Sequence, residues 1–134
     1  MIPPGVASLM TVAMLAELRR ELGPRSENFL IAVGEQVGAA CVMVETTDMT
    51  ELTDWMNGVW DELGLGSTNL IAGQRRLDII HRLPPFGAED SLWSDALPVI
   101  IEGVYRAWFN RLDPRGVLSR AATSESELQF VYSD

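Results

Sequence analysis

The chain contains no lysine, one histidine and one cysteine, Cys41, and its basic charge comes entirely from arginine. Ten arginines stand against nineteen acidic residues, for a net charge of −9. Such a balance repels phosphate backbones and argues against a nucleic-acid partner. A lone cysteine excludes an internal disulfide and fits a reducing compartment. Cys41 lies in the apolar stretch VGAACVMV, where a small packed residue is the expected role rather than a nucleophile. His81 and the distant Cys41 together make no zinc site, and no metal or cofactor is expected. Uninterrupted apolar runs fall far short of the roughly 20 residues that cross a bilayer, which argues against direct membrane insertion. The opening MIPPGVASLM has no basic region before its apolar stretch and runs into a charged helix, so no secretory leader is expected. A cytoplasmic location follows, with the periplasm as the alternative.

What remains is apolar and helical. Hydrophobic residues make up 47% of 134 residues, enough for one domain covering 1–134. A folded chain of this mass should expose about 7,000 Å². The strongest periodicity runs from Ser94 to Leu112, where Leu97, Ile101, Val104, Tyr105, Trp108 and Leu112 recur at three- and four-residue steps on one helical face. Val99, Gly103 and Ala107 form a second row of mostly small residues, against which another backbone can come close; they are the candidates for self-association. Ser94 or Asp95 is the expected N-cap, with Pro98 in the first turn.

Three helices are expected before it. The first, Ala7 to Leu22, carries Met10, Ala13, Met14, Leu18 and Leu22 on one side, with core packing the expected role and an adaptable contact surface the alternative. The second starts at Ser26 and runs to about Ala40, burying Phe29, Leu30, Val33 and Val37, with Gly34 and Gly38 permitting a close crossing. Asp48-x-x-Glu51 opens the third as a capping box, followed by Leu52, Trp55, Met56, Val59, Trp60 and Leu63. Leu65–Ile71 and Arg75–Leu83 alternate like strands around Ala72–Gln74, placing Leu77, Ile79, His81 and Leu83 on one face. VLSRAAT and ELQFVYS form a second hairpin with Leu128, Phe130 and Tyr132 together, and the final strand is expected at a sheet edge where another copy can pair. The fold class is therefore α+β: N-terminal helices, two β-hairpins forming a small antiparallel sheet, and a long helix between the hairpins.

Catalytic signals are weak. Glu89 and Asp90 are adjacent carboxylates, but acid–base work needs a cleft that sets their ionisation apart, and the sequence suggests none. His81 on an apolar face reads as a hydrogen-bonded structural residue. Trp55, Trp60 and Trp108 sit at core spacing; Trp93, expected in a loop, is the better placed of the four tryptophans to stack on a sugar.

The segment LDIIHRLP from Leu77 to Pro84, then Trp93, then PVIIEGVYRAW from Pro98 to Trp108, and the closing FVYS from Phe130 together resemble the bacterial cellulose synthase operon protein D family. That family shows a like hydrophobic-hydrophobic-His segment followed closely by Pro, then a Pro, a Glu-Gly-hydrophobic-Tyr step and a Trp on the following helix. The resemblance implies a non-catalytic accessory protein of cellulose secretion. It also implies a cylindrical homo-oligomer, an octamer, which associates with other cellulose synthase operon proteins, arranges glucan-extruding complexes and is a possible contact for glucan chains. A hairpin, a helix and a second hairpin also look like the vinyl-reductase-like small-ligand domains. A ligand- or glucan-binding module of that kind would use Trp93, Tyr105 and Trp108 as anchors.

Overall fold

The computed structural model describes the backbone of residues 6–84, 91–124 and 126–133, and among these the side chains of all but 6–9, 11–12 and 91–93. Among the described residues four α-helices, α1 (Val6–Leu22), α2 (Ser26–Ala40), α3 (Met49–Leu63) and α4 (Ser91–Leu112), accompany four strands, β1 (Ser67–Gly73), β2 (Arg76–Arg82), β3 (Val117–Thr123) and β4 (Glu127–Ser133). All strand pairs are antiparallel and the order is β1-β2-β4-β3. The α+β class with a long helix between two hairpins is as expected from the sequence.

The sheet order corrects one expectation. β4 pairs with both β2 and β3, so the last strand is central, and β1 and β3 form the edges. Strand order comes from pairing distant in sequence, which local alternation does not encode. β3 carries a register irregularity between Arg120 and Ala122. At the opposite edge the Asn57 side chain, from α3, accepts from Thr68 N at 2.7 Å and donates to Thr68 O at 3.1 Å. These are the backbone groups of β1 that β2 leaves unpaired.

Helix ends follow capping chemistry in part. Asp48 Oδ1 accepts from the amides of Thr50 and Glu51, and Gly64 closes α3 in the left-handed region at φ 68°. The reciprocal half of the expected capping box goes elsewhere, since the Asp48 amide donates to Thr46 Oγ1. Ser26 opens α2 without a side-chain cap, because a 3-10 turn over Gly23–Arg25 leads straight into the helix. CVMVETT is an irregular connector rather than an extension of α2.

α4 begins earlier than expected, at Ser91, which puts Pro98 inside the helix and Trp93 in its first turn instead of a loop. An interior proline costs about 3 kcal/mol in lost hydrogen bonding and steric conflict. Burial of Leu97 and Ile101 immediately around it, both at zero exposure, offsets that cost.

The most extensive contact between elements is α2 against α4. Here the small row is used within the chain: a Cβ on Gly103 would lie 2.9 Å from Gly34 Cα and collide with the carbonyl of Ile31, and one on Gly38 would lie 2.9 Å from the Ala107 Cβ. Gly103 and Ala107 therefore face α2, and Val99 is half-buried. On the other side of α4, Ile101, Val104, Tyr105 and Trp108 join Leu52, Met56 and Trp60 from α3 and Ile79, Leu128 and Phe130 from the sheet in one core.

Two apolar faces turn out to be exposed. Met10 and Met14 are 58% and 68% exposed, and Phe29, expected inside, is 48% exposed, while Leu30 and Ile31 of the same helix are buried. Leu112 also lies at the surface. α1 packs only lightly on α2 and α4. The total accessible surface is 8635 Å², above the roughly 7,000 Å² expected for a compact chain of this mass.

Adding one methyl group separates packing from propensity. Gly103→Ala should destabilise the chain by at least about 2 kcal/mol in urea denaturation, because backbone, not a movable side chain, occupies the space. Gly58→Ala, at an open position inside α3, should instead stabilise it by about 1 kcal/mol.

Candidate functional site

Three places in the fold gather polar or aromatic groups. The first lies where α3, β1, β2 and α4 meet. Period-two alternation turns His81 inward from β2, opposite Thr68 of β1 and Leu128 of β4. His81 is fully buried, with Nδ1 2.7 Å from the Tyr105 hydroxyl and Nε2 2.7 Å from the carbonyl of Leu65. A carbonyl can only accept, so Nε2 carries the proton, Nδ1 is the acceptor, and Tyr105 donates to it.

Burial lowers the His81 pKa to about 4, against the weaker opposing effect of the Leu65 bond. Burial pushes the Tyr105 phenol above its ordinary value. Thr68 and Trp60 sit close enough to that phenol to bias its ionisation, without hydrogen bonds of ordinary geometry. Trp60 Nε1, Thr68 Oγ1 and Trp108 Nε1 are buried with no partner among the described residues.

The rings pack on one another. Trp60 stands edge-on to His81 at 4.7 Å, tilted against Tyr105 at 5.3 Å and against Trp108 at 5.1 Å, while Trp55 meets Trp108 edge-on at 5.0 Å. Such pairs contribute roughly 0.5–1.5 kcal/mol each beyond their burial. Tyr105 and Trp108 are at zero exposure, so neither offers a ring face to a ligand in this fold. Trp55 is half-buried. The Trp93 side chain and the whole of Glu89 and Asp90 lie outside the described residues.

The second place is ionic and went unread in the sequence. Glu102, with a side chain only 4% exposed, pairs with Arg106 at 3.2 Å one turn along α4 and with Arg120 Nε from β3. Arg120 reaches on to Glu27 of α2 at 2.6 Å. Hydrogen bonding to Glu102, against a weaker desolvation and with help from Glu27, raises the Arg120 pKa further. The cluster ties α2, α4 and the second hairpin together, and each of Glu102's two oxygens meets a cation, which holds it as a structural carboxylate. The available signal was the Glu102 and Arg106 pair, one turn apart inside the otherwise apolar run from Pro98 to Trp108.

The third is a groove of about 590 Å³ lined by Ala39 to Thr46 with Arg111 and Leu112. Arg111 donates to the carbonyls of Cys41 at 3.1 Å and Ala39 at 3.0 Å, capping the C-terminal end of α2 with a cation. Cys41 is half-buried, and its Sγ lies 3.4 Å from the Val37 carbonyl as a weak donor. Among the described residues no group of three or more His, Cys, Asp or Glu side chains is placed to hold a metal ion, and no helix is long and apolar enough to cross a membrane.

These arrangements define an α+β packing module whose inward aromatic and charged groups hold elements together. The family comparison is specific: the model for the D subunit of cellulose synthase matches residues 8–133, and the chain belongs to that family. No curated protein matches it. Membership ties the chain to bacterial cellulose synthesis as an accessory component that works with the other cellulose synthase proteins.

The ionic cluster yields a direct comparison. Arg120→Ala should cost about 2 kcal/mol, since it strips one of two cations from a buried carboxylate. Glu27→Ala, removing an exposed pair partner, should stay within about 0.5 kcal/mol of the parent in the same denaturant titration.

Proposed function

We propose that the chain is a non-catalytic structural subunit that self-associates into a ring-like homo-oligomer and organises glucan-exporting synthase complexes for ordered cellulose assembly. The observation that carries this reading is the apolar surface left outside by an otherwise well-packed fold, above all Met10 and Met14 one turn apart on α1. Methionines re-pack at modest cost, which suits a contact surface between copies. Gly103 and Ala107, the row first suited to self-association, are engaged by α2 of their own chain, so α1 is the better surface for it.

The non-catalytic part of the reading draws support from the chemistry of the buried groups. His81 has both nitrogens committed, and Glu102 is neutralised by Arg106 and Arg120. An octamer and a role for glucan contact are what the resemblance to the family suggests. The cytoplasm is our proposed compartment, on the single cysteine of the sequence, which suits a reducing environment.

Size-exclusion chromatography with light scattering tests the assembly. A mass several times the 14.8 kDa of one chain is expected at micromolar concentration, and a strict monomer would overturn the reading. Met14→Glu should shift the mass downward while leaving the far-ultraviolet circular dichroism unchanged, because that side chain contributes little to the core.

A further inference from the structure

α1 is the helix that the fold holds least. Among its described side chains none is buried and Leu15, Leu18 and Leu22 are half-buried, whereas α2, α3 and α4 each sink several residues into the interior. Met10, Met14, Leu18 and Leu22 follow one another at four-residue steps and form a single apolar row. The two leucines nearest the turn into α2 are half covered, while the two methionines beyond them lie open. The row thus outruns the seat that α2 and α4 of the same chain provide. Arg19, which reaches Asp95 of α4 at 3.5 Å, fastens the helix weakly, since both side chains are exposed.

The connection to α2 is three residues long, Gly23–Arg25, and buries none of them. Gly23 stands at φ 54°, in the left-handed region, while Leu22, Arg25 and Ser26 around it are right-handed. A change at that one residue re-aims all 17 residues of α1, a rod about 26 Å long. Once swung out, α1 meets its complementary surface in the same seat on a second copy, because every contact made within one chain is available between two.

We propose that α1 is exchanged between copies: Gly23 leaves the left-handed region, and each of two chains lays its α1 in the seat vacated by the other's. The inference rests on the self-association reading and names the surface that receives α1. Exchange conserves the contacts of the seat, so the hinge decides the balance. A closed chain must hold Gly23 left-handed, and a short bent connector of this kind favours exchange.

Two variants test it. Arg19→Cys with Asp95→Cys, in a chain whose native thiol is removed by Cys41→Ser, puts thiols on the two helices that the Arg19–Asp95 pair joins. After treatment of the multimeric fraction with a short bismaleimide, denaturing electrophoresis separates chains linked to themselves from chains linked to one another. The expected product is linked pairs, with the 19-to-95 bridge located by peptide mass spectrometry. Gly23→Ala strains the left-handed form alone, since nothing lies within 4 Å of the added methyl group, and should raise the ratio of multimer to monomer at fixed concentration by roughly tenfold. A multimer whose 19-to-95 bridges all fall within single chains would overturn the exchange and leave self-association standing. A strict monomer by light scattering would overturn both. Should the cysteine pair itself prevent assembly, the Gly23→Ala ratio decides: a value equal to the parent's rules the exchange out.

Discussion

The contact on which the rest of the structure depends is the crossing of α2 and α4 at Gly34, Gly38 and Gly103. With no side chains between them, the two backbones approach until a Cβ on Gly34 would lie 2.9 Å from Gly103 Cα. α2 thereby covers one side of α4, while Ile101, Tyr105 and Trp108 on its other side meet the sheet. The crossing also stands Glu27 of α2 beside Arg120, which pairs with Glu102 of α4. A wider crossing would part Glu27 from Arg120 and uncover the small-residue side of α4. Packing and electrostatics thus meet at this crossing, where Arg120 links the buried Glu102 of α4 to Glu27 of α2.

Much of this was legible from residue order alone. Both strands of the second hairpin fall where alternation put them, because Leu128, Phe130 and Tyr132 must share a face and the polar stretch between the strands can only turn. α3 is announced by Asp48 and ended by Gly64, each for a local reason. His81 could be read as a structural residue, since an imidazole in an apolar strand face has to find partners nearby.

The misses share a different cause. The start of α4 was masked by Pro98, whose local penalty is overruled by burial of Leu97 and Ile101 around it. Periodicity identified the apolar sides of α1 and α2 without saying whether anything would cover them, and Met10, Met14 and Phe29 remained outside. The place of β4 in the sheet and the Glu102–Arg120 pair depend on contacts between residues far apart in the chain. Tyr105 and Trp108, attractive as ligand anchors by residue type, are consumed by the core. Aromatic side chains look alike in sequence whether they build the interior or a binding face.

The amide of Asn57 lying along β1 carries a consequence for how copies can grow together. It stands in for the first hydrogen bonds of a neighbouring strand at Thr68, while the irregular ladder at Arg120 disturbs the far margin of the sheet. Both margins are thereby poor templates for zipping chain onto chain without limit. An endless fibril grown edge to edge is thereby disfavoured.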